Sequence, residues 1–259
     1  MTRQFDSTII SNRRLSDDYF ELELDWPTDM DKPEAGQFVS LKTKDFSGSL
    51  LKRPFAVASF TLGGRPSFSM IIQRRGPATV LFSDLAKGDI LNVTGPLGHP
   101  FPAPDAESRP VLLGGGIGLG PVLYLASAYL AAGLEPLLVL GYRAKYLIPD
   151  LSGKLLPETV ICTDDGSSGF HGNIVTYLKK NNPGDGATLY ACGPDKMLEA
   201  CETFAAGNGN KIWISVEQTM ACGIGACMGC VVPVNDNEKR FVRVCKEGPV
   251  FPGGYLKWT

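Results

Sequence analysis

Leu112-Leu113-Gly114-Gly115-Gly116-Ile117-Gly118-Leu119-Gly120-Pro121 is the stretch on which the reading of the chain turns. A short apolar strand pattern, Val111–Leu113, leads in, and a helical pattern, Pro121–Ala132, leads out. A turn of this kind offers the unpaired N–H groups and positive dipole end of a helix to a phosphate, and its glycines let a pyrophosphate come close. The strict G-x-G-x-x-G of dinucleotide folds is not met. The match is Gly116-x-Gly118-x-x-Pro121, and Gly141-Tyr142-Arg143 stands where an acidic residue would end the next strand. Gly115, Gly116 and Gly118 are the candidate contacts, and a tight turn with no ligand stays open as the alternative. The surrounding run, Val111–Leu134, carries no charge over 24 residues and is long enough to span a bilayer. Its six glycines and one proline favour a soluble strand, turn and helix instead.

Working outward, Pro136–Leu140, Thr159–Thr163 and Thr188–Ala191 repeat the short apolar strand, and Asn173–Lys180 and Lys196–Ala205 read as helices. Strands alternating with helices predict a parallel sheet covered on both faces over 104–210, with ligands at the carboxyl ends of its strands. Tyr190-Ala191-Cys192-Gly193-Pro194 ends one such strand. Cys192, Gly193 and Pro194 are therefore candidate nucleotide contacts, against the alternative of a buried Cys before a turn.

Residues 1–103 differ in character. Thr8–Ile10, Tyr19–Leu24, Phe38–Leu41, Phe55–Phe60, Phe68–Gln73 and Ile90–Val93 alternate or are β-branched, and turns such as Gly63-Gly64-Arg65-Pro66 separate them. They predict a small antiparallel barrel with one helix at Thr79–Lys87. Pro100–Pro104 reads as a linker. Arg53-Pro54-Phe55-Ala56 could meet a flavin nucleotide, Arg53 at a phosphate and Phe55 at the ring. Thr79 could N-cap a helix facing a pyrophosphate. Arg74 and Arg75 read as surface charges. A third region, 211–259, has strand patterns at Trp213–Glu217 and Val231–Val234 and is too short for a large core of its own.

That region holds Cys222, Cys227, Cys230 and Cys245, four of the seven cysteines within the last 38 residues. Their spacing, C-x4-C-x2-C-x14-C, has the plant-type [2Fe–2S] form. Four thiolates around a compact anionic core need a loop that curls and aims N–H groups at sulfur, and Gly223, Gly225 and Gly229 would permit the unusual φ values. A four-cysteine zinc site is the alternative, although zinc ribbons pair their ligands as two short knuckles. Cys162 and Cys201 read as core residues.

The whole composition narrows the classes. Over 259 residues, 44% hydrophobic and 20% charged residues exclude wholesale disorder. A formal charge of −2 gives no electrostatic reason for a nucleic acid partner. Two histidines argue against His-rich metal sites. Met1–Leu24 shows no secretory pattern, so a cytoplasmic protein without a membrane segment is expected.

Taken in order, these motifs resemble the electron-transfer subunits of type 1B dihydroorotate dehydrogenases, within the ferredoxin–NADP reductase superfamily. Arg53-Pro54-Phe55, Lys87-Gly88-Asp89, Gly95-Pro96-Leu97-Gly98, Gly114–Gly118, Thr163–Ser167, Ala191–Pro194, Cys222–Cys230 and Val244–Phe251 carry the likeness. The last two are the most specific. The resemblance implies FAD on the barrel, NAD(H) on the parallel sheet and [2Fe–2S] on the four cysteines. It further implies an FMN-containing catalytic partner, two copies of each chain, and a place in pyrimidine biosynthesis. It sets Ile71, Ile72, Gln73, Ala78 and Thr79 along the flavin. Three departures stand out: Ala56 replaces a Ser, Ile72-Gln73 a Tyr-Arg pair, and Ala78-Thr79 a Gly-Thr pair. NAD moves a hydride, a [2Fe–2S] cluster one electron, and a flavin either, so such a chain converts between the two currencies. The implied order is partner FMN, [2Fe–2S], FAD, NAD⁺, with Cys192 near the hydride path as a positioning group. Two other readings remain: the flavin and iron–sulfur arm of a hydrogenase or ferredoxin-linked transhydrogenase, and a non-enzymatic, zinc-stapled nucleotide-binding module.

Overall fold

Alternation of apolar and polar side chains builds the first half of the molecule, seen in a computed structural model that describes residues 2–44, 50–103, 108–156 and 158–258. Strands β1 (Arg3–Arg14), β2 (Tyr19–Asp25), β3 (Phe38–Thr43), β4 (Arg53–Ala56), β5 (Ser59–Thr61), β6 (Ser67–Gln73) and β7 (Ile90–Leu97) form one antiparallel sheet. Its order is β4-β3-β7-β1-β2-β6-β5. Phe20, Leu22 and Leu24 of β2, Phe68, Met70 and Ile72 of β6, and Leu91 and Val93 of β7 turn one face inward around Trp26. The expected run Phe55–Phe60 is divided in two. Between β4 and β5, Val57 N–H donates to the Gln37 carbonyl (3.1 Å) and Ala58 N–H to the Ser69 carbonyl (2.8 Å). Two residues thus carry the chain from one end of the sheet to the other, and the sheet curls into the expected barrel. Helix α1 (Pro77–Asp84) sits between β6 and β7.

The second sheet holds β8 (Pro110–Gly115), β9 (Leu137–Tyr142), β10 (Thr159–Thr163), β11 (Phe170–His171), β12 (Thr188–Cys192) and β13 (Lys211–Ser215), all parallel. Helices α2 (Leu119–Ala131), α3 (Ile174–Lys180) and α4 (Asp195–Gly207) cover it. Period two assigns the faces. Val111, Leu113, Leu137 and Val139 pack with Ile174, Leu178, Leu198 and Phe204 of α3 and α4. Leu112, Leu138 and Leu140 pack with Val122, Leu123 and Tyr129 of α2. Helix α2 also meets the barrel, where Ala58 and Ile71 join the same cluster. Protein on both sides explains why Val111–Leu134 carries no charge, and among the described residues no helix is long and apolar enough to cross a membrane.

Beyond β13 the chain forms a hairpin of β14 (Val231–Pro233) and β15 (Phe241–Arg243), a turn of helix α5 (Val244–Glu247), and β16 (Val250–Pro252). Strand β16 returns to pair antiparallel with β13, completing the order β11-β10-β9-β8-β12-β13-β16. Residues 211–215, which sequence patterning placed with the cysteine region, are thus hydrogen-bonded beside β12 in the parallel sheet. At the other border, 103/104, residue 104 and the end of the Pro100–Pro104 linker lie outside the described residues.

Candidate functional site

The two sheets enclose a cleft of about 270 Å³. Pro54, Phe55 and Ala56 of β4, Ile71, Ile72 and Gln73 of β6, and Thr79 of α1 form its barrel wall. Among the described residues β4 ends its sheet and pairs with β3 alone, which leaves an edge where Pro54, lacking an N–H, costs nothing. Arg53 and Ala78 lie elsewhere: they line a narrow crevice with Leu41, Thr43 and Phe82. Thr79 is not the N-cap that the sequence suggested. Gly76 takes that position, because Pro77 with its preset φ starts the helix earlier. The Thr79 hydroxyl instead accepts from the backbone N–H groups of Arg75 (2.9 Å) and Gly76 (3.1 Å). Arg75, read as a surface charge, is exposed yet lines the cleft.

The opposite wall comes from the second sheet: Ile117, Gly120, Pro121, Cys192 and residues 215–218. Cys192 is 3% exposed. Burial pushes its thiol up to about 12, with Glu217 adding to the shift and Ser215 opposing it, so the sulfur is neutral at physiological pH. Glu217 is exposed at the cleft's edge, and its carboxyl is raised by partial desolvation there, against the pull of Arg75.

Strands β8 and β12 are neighbours, with Gly114 opposite Cys192. From them the chain leaves to opposite sides, through α2 to β9 and through α4 to β13. This is the switch point at which open α/β sheets bind ligands. The two turns touch there. A Cβ on Gly118 would lie 2.1 Å from the Cys192 carbonyl oxygen, so only glycine fits. Gly115 packs against Pro194 and Gly118 against Gly193, while Gly116 has open space where a Cβ would stand. The N-termini of α2 and α4 start at these two turns, a setting suited to a pyrophosphate.

The four cysteines of the third region come together beside that cleft. Each sulfur accepts a backbone N–H. Ala226 (3.3 Å) and Cys227 (3.4 Å) donate to Cys222, Gly229 to Cys227 (3.4 Å), Cys245 to Cys230 (3.4 Å), and Gly225 to Cys245 (3.1 Å). Desolvation raises the Cys222 thiol, but the N–H groups of Ile224, Cys227 and Ala226 outweigh it and lower the value to about 6. Among the described residues no three His, Cys, Asp or Glu side chains close around a single ion. All four cysteines are free thiols, with Cys227 close enough to Cys222, and Cys230 to Cys245, to shift its titration. Four thiols on one curled loop and its neighbouring helix are the donor set of a [2Fe–2S] cluster. The loop bends at Gly223 (φ 69°) and Gly225 (φ 82°) as expected, but the third left-handed residue is Met228 (φ 59°) and not Gly229. Met220 and Pro249, which flank the ligand segment, also line the cleft.

This site belongs to a recognisable lineage. The dihydroorotate dehydrogenase B (NAD(+)) electron transfer subunit of Caldanaerobacter subterraneus subsp. tengcongensis is 37% identical over 246 residues, 94% of each chain. The chain belongs to the family of dihydroorotate dehydrogenase B electron transfer subunits. The subunit of the same description from Geobacillus thermodenitrificans is 36% identical over 252 residues, covering 95% of this chain and 96% of its own. The iron–sulfur cluster binding domain of dihydroorotate dehydrogenase B matches residues 217–257. A solved NADH-dependent reduced ferredoxin-NADP oxidoreductase, a protein of flavin-based electron bifurcation, superimposes with TM-score 0.83 at 27% identity, over 97% of this chain and 90% of its own.

Sequence reasoning for this family member missed Arg75, Ser215, Glu217, Met220 and Pro249 at the cleft. Pro249 lies within the Val244–Phe251 stretch, and the other four belong to no motif. Ser215, which closes the parallel strand β13, and Glu217, two residues beyond it, had a signal, since ligands bind at the carboxyl ends of such strands.

Proposed function

We propose that this electron transfer subunit holds FAD against the β4–β6 wall of the cleft, NAD at the β8/β12 switch point, and a [2Fe–2S] cluster on Cys222, Cys227, Cys230 and Cys245. A catalytic subunit carrying FMN supplies the electrons, two copies of each chain assembling together. The observation that carries this reading is the four sulfurs, each met by a backbone N–H, on a segment whose flanking residues Met220 and Pro249 line the cleft together with Ile117, Gly120 and Cys192. When bound, the three groups supply hydride exchange, single-electron exchange and the interconversion of the two.

The chain supplies placement. Phe55, Ile71 and Ile72 offer an apolar bed for a ring system. Ala56 contributes no hydroxyl, and Arg75 provides at the cleft the positive charge that Gln73 lacks. Cys192, a neutral thiol packed beside Ser215, shapes the wall where a nicotinamide would meet the flavin, and it acts by position, not as a nucleophile. The division into 1–103 for FAD, 104–210 for NAD and 211–259 for the cluster is kept with one change: β13 (211–215) belongs with the NAD-binding sheet, and β16 roots the cluster part in it.

The test is anaerobic purification of the chain, alone and with its catalytic subunit. Flavin, iron and acid-labile sulfide should be present, NADH should reduce an artificial acceptor, and the complex should reduce NAD⁺ with dihydroorotate. Colourless protein lacking sulfide would overturn the reading. The likeness to the NADH-dependent ferredoxin-NADP oxidoreductase favours one second reading, a ferredoxin-linked transhydrogenase arm. Co-purification with a ferredoxin-linked partner and no dihydroorotate activity would select it.

A further inference from the structure

Arg243 and Glu247 stand four residues apart on either side of Cys245, and together they tie the two ligand-bearing segments to each other. Glu247 Oε2 accepts from the Arg243 backbone N–H (2.7 Å) and from Arg243 Nε (3.0 Å), while Glu247 Oε1 pairs with Arg243 Nη2. Both side chains are only about a quarter exposed, at 25% and 28%. The remaining arm, Arg243 Nη1, crosses to the other segment and donates to the Gly225 carbonyl oxygen (2.7 Å).

That carbonyl belongs to the peptide whose N–H, on Ala226, donates to Cys222 Sγ (3.3 Å). One amide therefore has a guanidinium at its oxygen end and a ligand sulfur at its hydrogen end. A cation at the carbonyl polarises the amide and strengthens donation from its N–H, as in any hydrogen-bonded chain. The preceding amide donates from Gly225 to Cys245 Sγ (3.1 Å), so the two amides on either side of Gly225 reach two different ligand sulfurs. Bonds to ligand sulfur, together with local charge, set how readily an iron–sulfur cluster accepts an electron.

We infer that the Arg243–Glu247 pair is a positioning device that sets the reduction potential of the cluster through the Gly225–Ala226 peptide. This rests on the iron–sulfur reading above and deepens it. The bidentate geometry makes Arg essential to the device, since a lysine would bring the charge without the fork. Glu247 holds the guanidinium in place and offsets its charge.

The pair makes a signed prediction. In the anaerobically purified full chain, the cluster's midpoint potential is followed by its paramagnetic signal during a redox titration, with iron and sulfide measured alongside. Arg243→Gln removes the donor and leaves Glu247 unneutralised, so the potential should fall. Glu247→Gln leaves the guanidinium unneutralised, so it should rise. Each shift should be on the order of tenfold in the oxidised-to-reduced ratio at a fixed potential, about 59 mV for one electron. Arg243→Lys should lie between wild type and Arg243→Gln. A purely structural clamp predicts loss of iron without opposite shifts. Loaded variants whose potentials do not move, or move the same way, would overturn the inference. If Arg243→Gln fails to load, Glu247→Gln decides alone: a raised potential supports the device, and an unchanged or lowered one defeats it. A wild-type chain without iron, sulfide or signal would overturn the iron–sulfur reading itself, a result distinct from loaded but unshifted variants.

Discussion

A methyl carbon on Gly118 has nowhere to go, because the Cys192 carbonyl oxygen and carbon would stand 2.1 and 2.4 Å from it. Both are backbone atoms of the facing turn, so the turns themselves must part. Gly118→Ala should cost about 1–3 kcal/mol, as overpacking does. It should also abolish NADH oxidation while iron content is retained. The matched control is Gly120→Ala, whose added carbon would only touch Ala58 at 3.5 Å. Thermal unfolding should separate the two variants, and equal melting temperatures would contradict the close approach. The turn was legible in sequence because glycines crowd there, yet its facing partner was not: nothing in a linear string says that residue 118 rests on residue 192. Thr79 shows the same limit from the other side. Its hydroxyl invited a cap assignment, and the stronger local preference of Pro77 for the first helical position displaced it.

Between elements, the barrel and the second sheet are joined by a charged clasp. Glu21 of β2 is 9% exposed and accepts from Lys154 Nζ (2.7 Å), Ser69 Oγ (2.9 Å) and Arg13 Nη2 (3.1 Å). Nearby, Asp150 N–H donates to the Leu15 carbonyl (2.8 Å). Burial raises the Glu21 carboxyl, but the bond and charge of Lys154, helped by Ser69 and Arg13, bring it below the ordinary 4.5. A carboxylate depressed on folding stabilises the fold fully above its unfolded value and loses that contribution as pH falls through its folded one. Glu21→Gln should therefore lower stability by about 1–3 kcal/mol at pH 7. The gap from wild type should close below pH 4.5. Denaturant titrations at the two pH values check this, and a gap that persists in acid would refute it. The strands around this clasp were readable from alternation alone. Strand β16 was not: three residues, Val250–Pro252, carry no period, and only their pairing with β13 makes them a strand. Arg243 and Glu247 did have a legible signal, opposite charges at i and i+4 around a ligand cysteine.

For the molecule as a whole, the rim of the cysteine loop is its most telling surface. Ile224 and Met228 are each 54% exposed and Phe241 55%, in a segment where Cys227 is exposed too. Large apolar side chains beside an accessible ligand suit docking by the catalytic subunit. Met228→Asp should weaken association at least tenfold in a pull-down or titration while iron content stays. Aspartate tolerates the left-handed backbone at φ 59° better than methionine does, so folding is not the confounder. Undiminished association would move the docking face elsewhere. The return of the chain at β16 bears on the same surface. It departs the second sheet at Ser215 and re-enters at Val250, directly opposite, with Val216 N–H bonded to the Pro249 carbonyl (3.0 Å). The iron-carrying excursion thus has both feet on adjacent rungs of one ladder. The gap an electron must tunnel across is set by the stiffness of a sheet and not by the swing of a tethered module, and a partner that pushes on the loop pushes on the nucleotide platform as well.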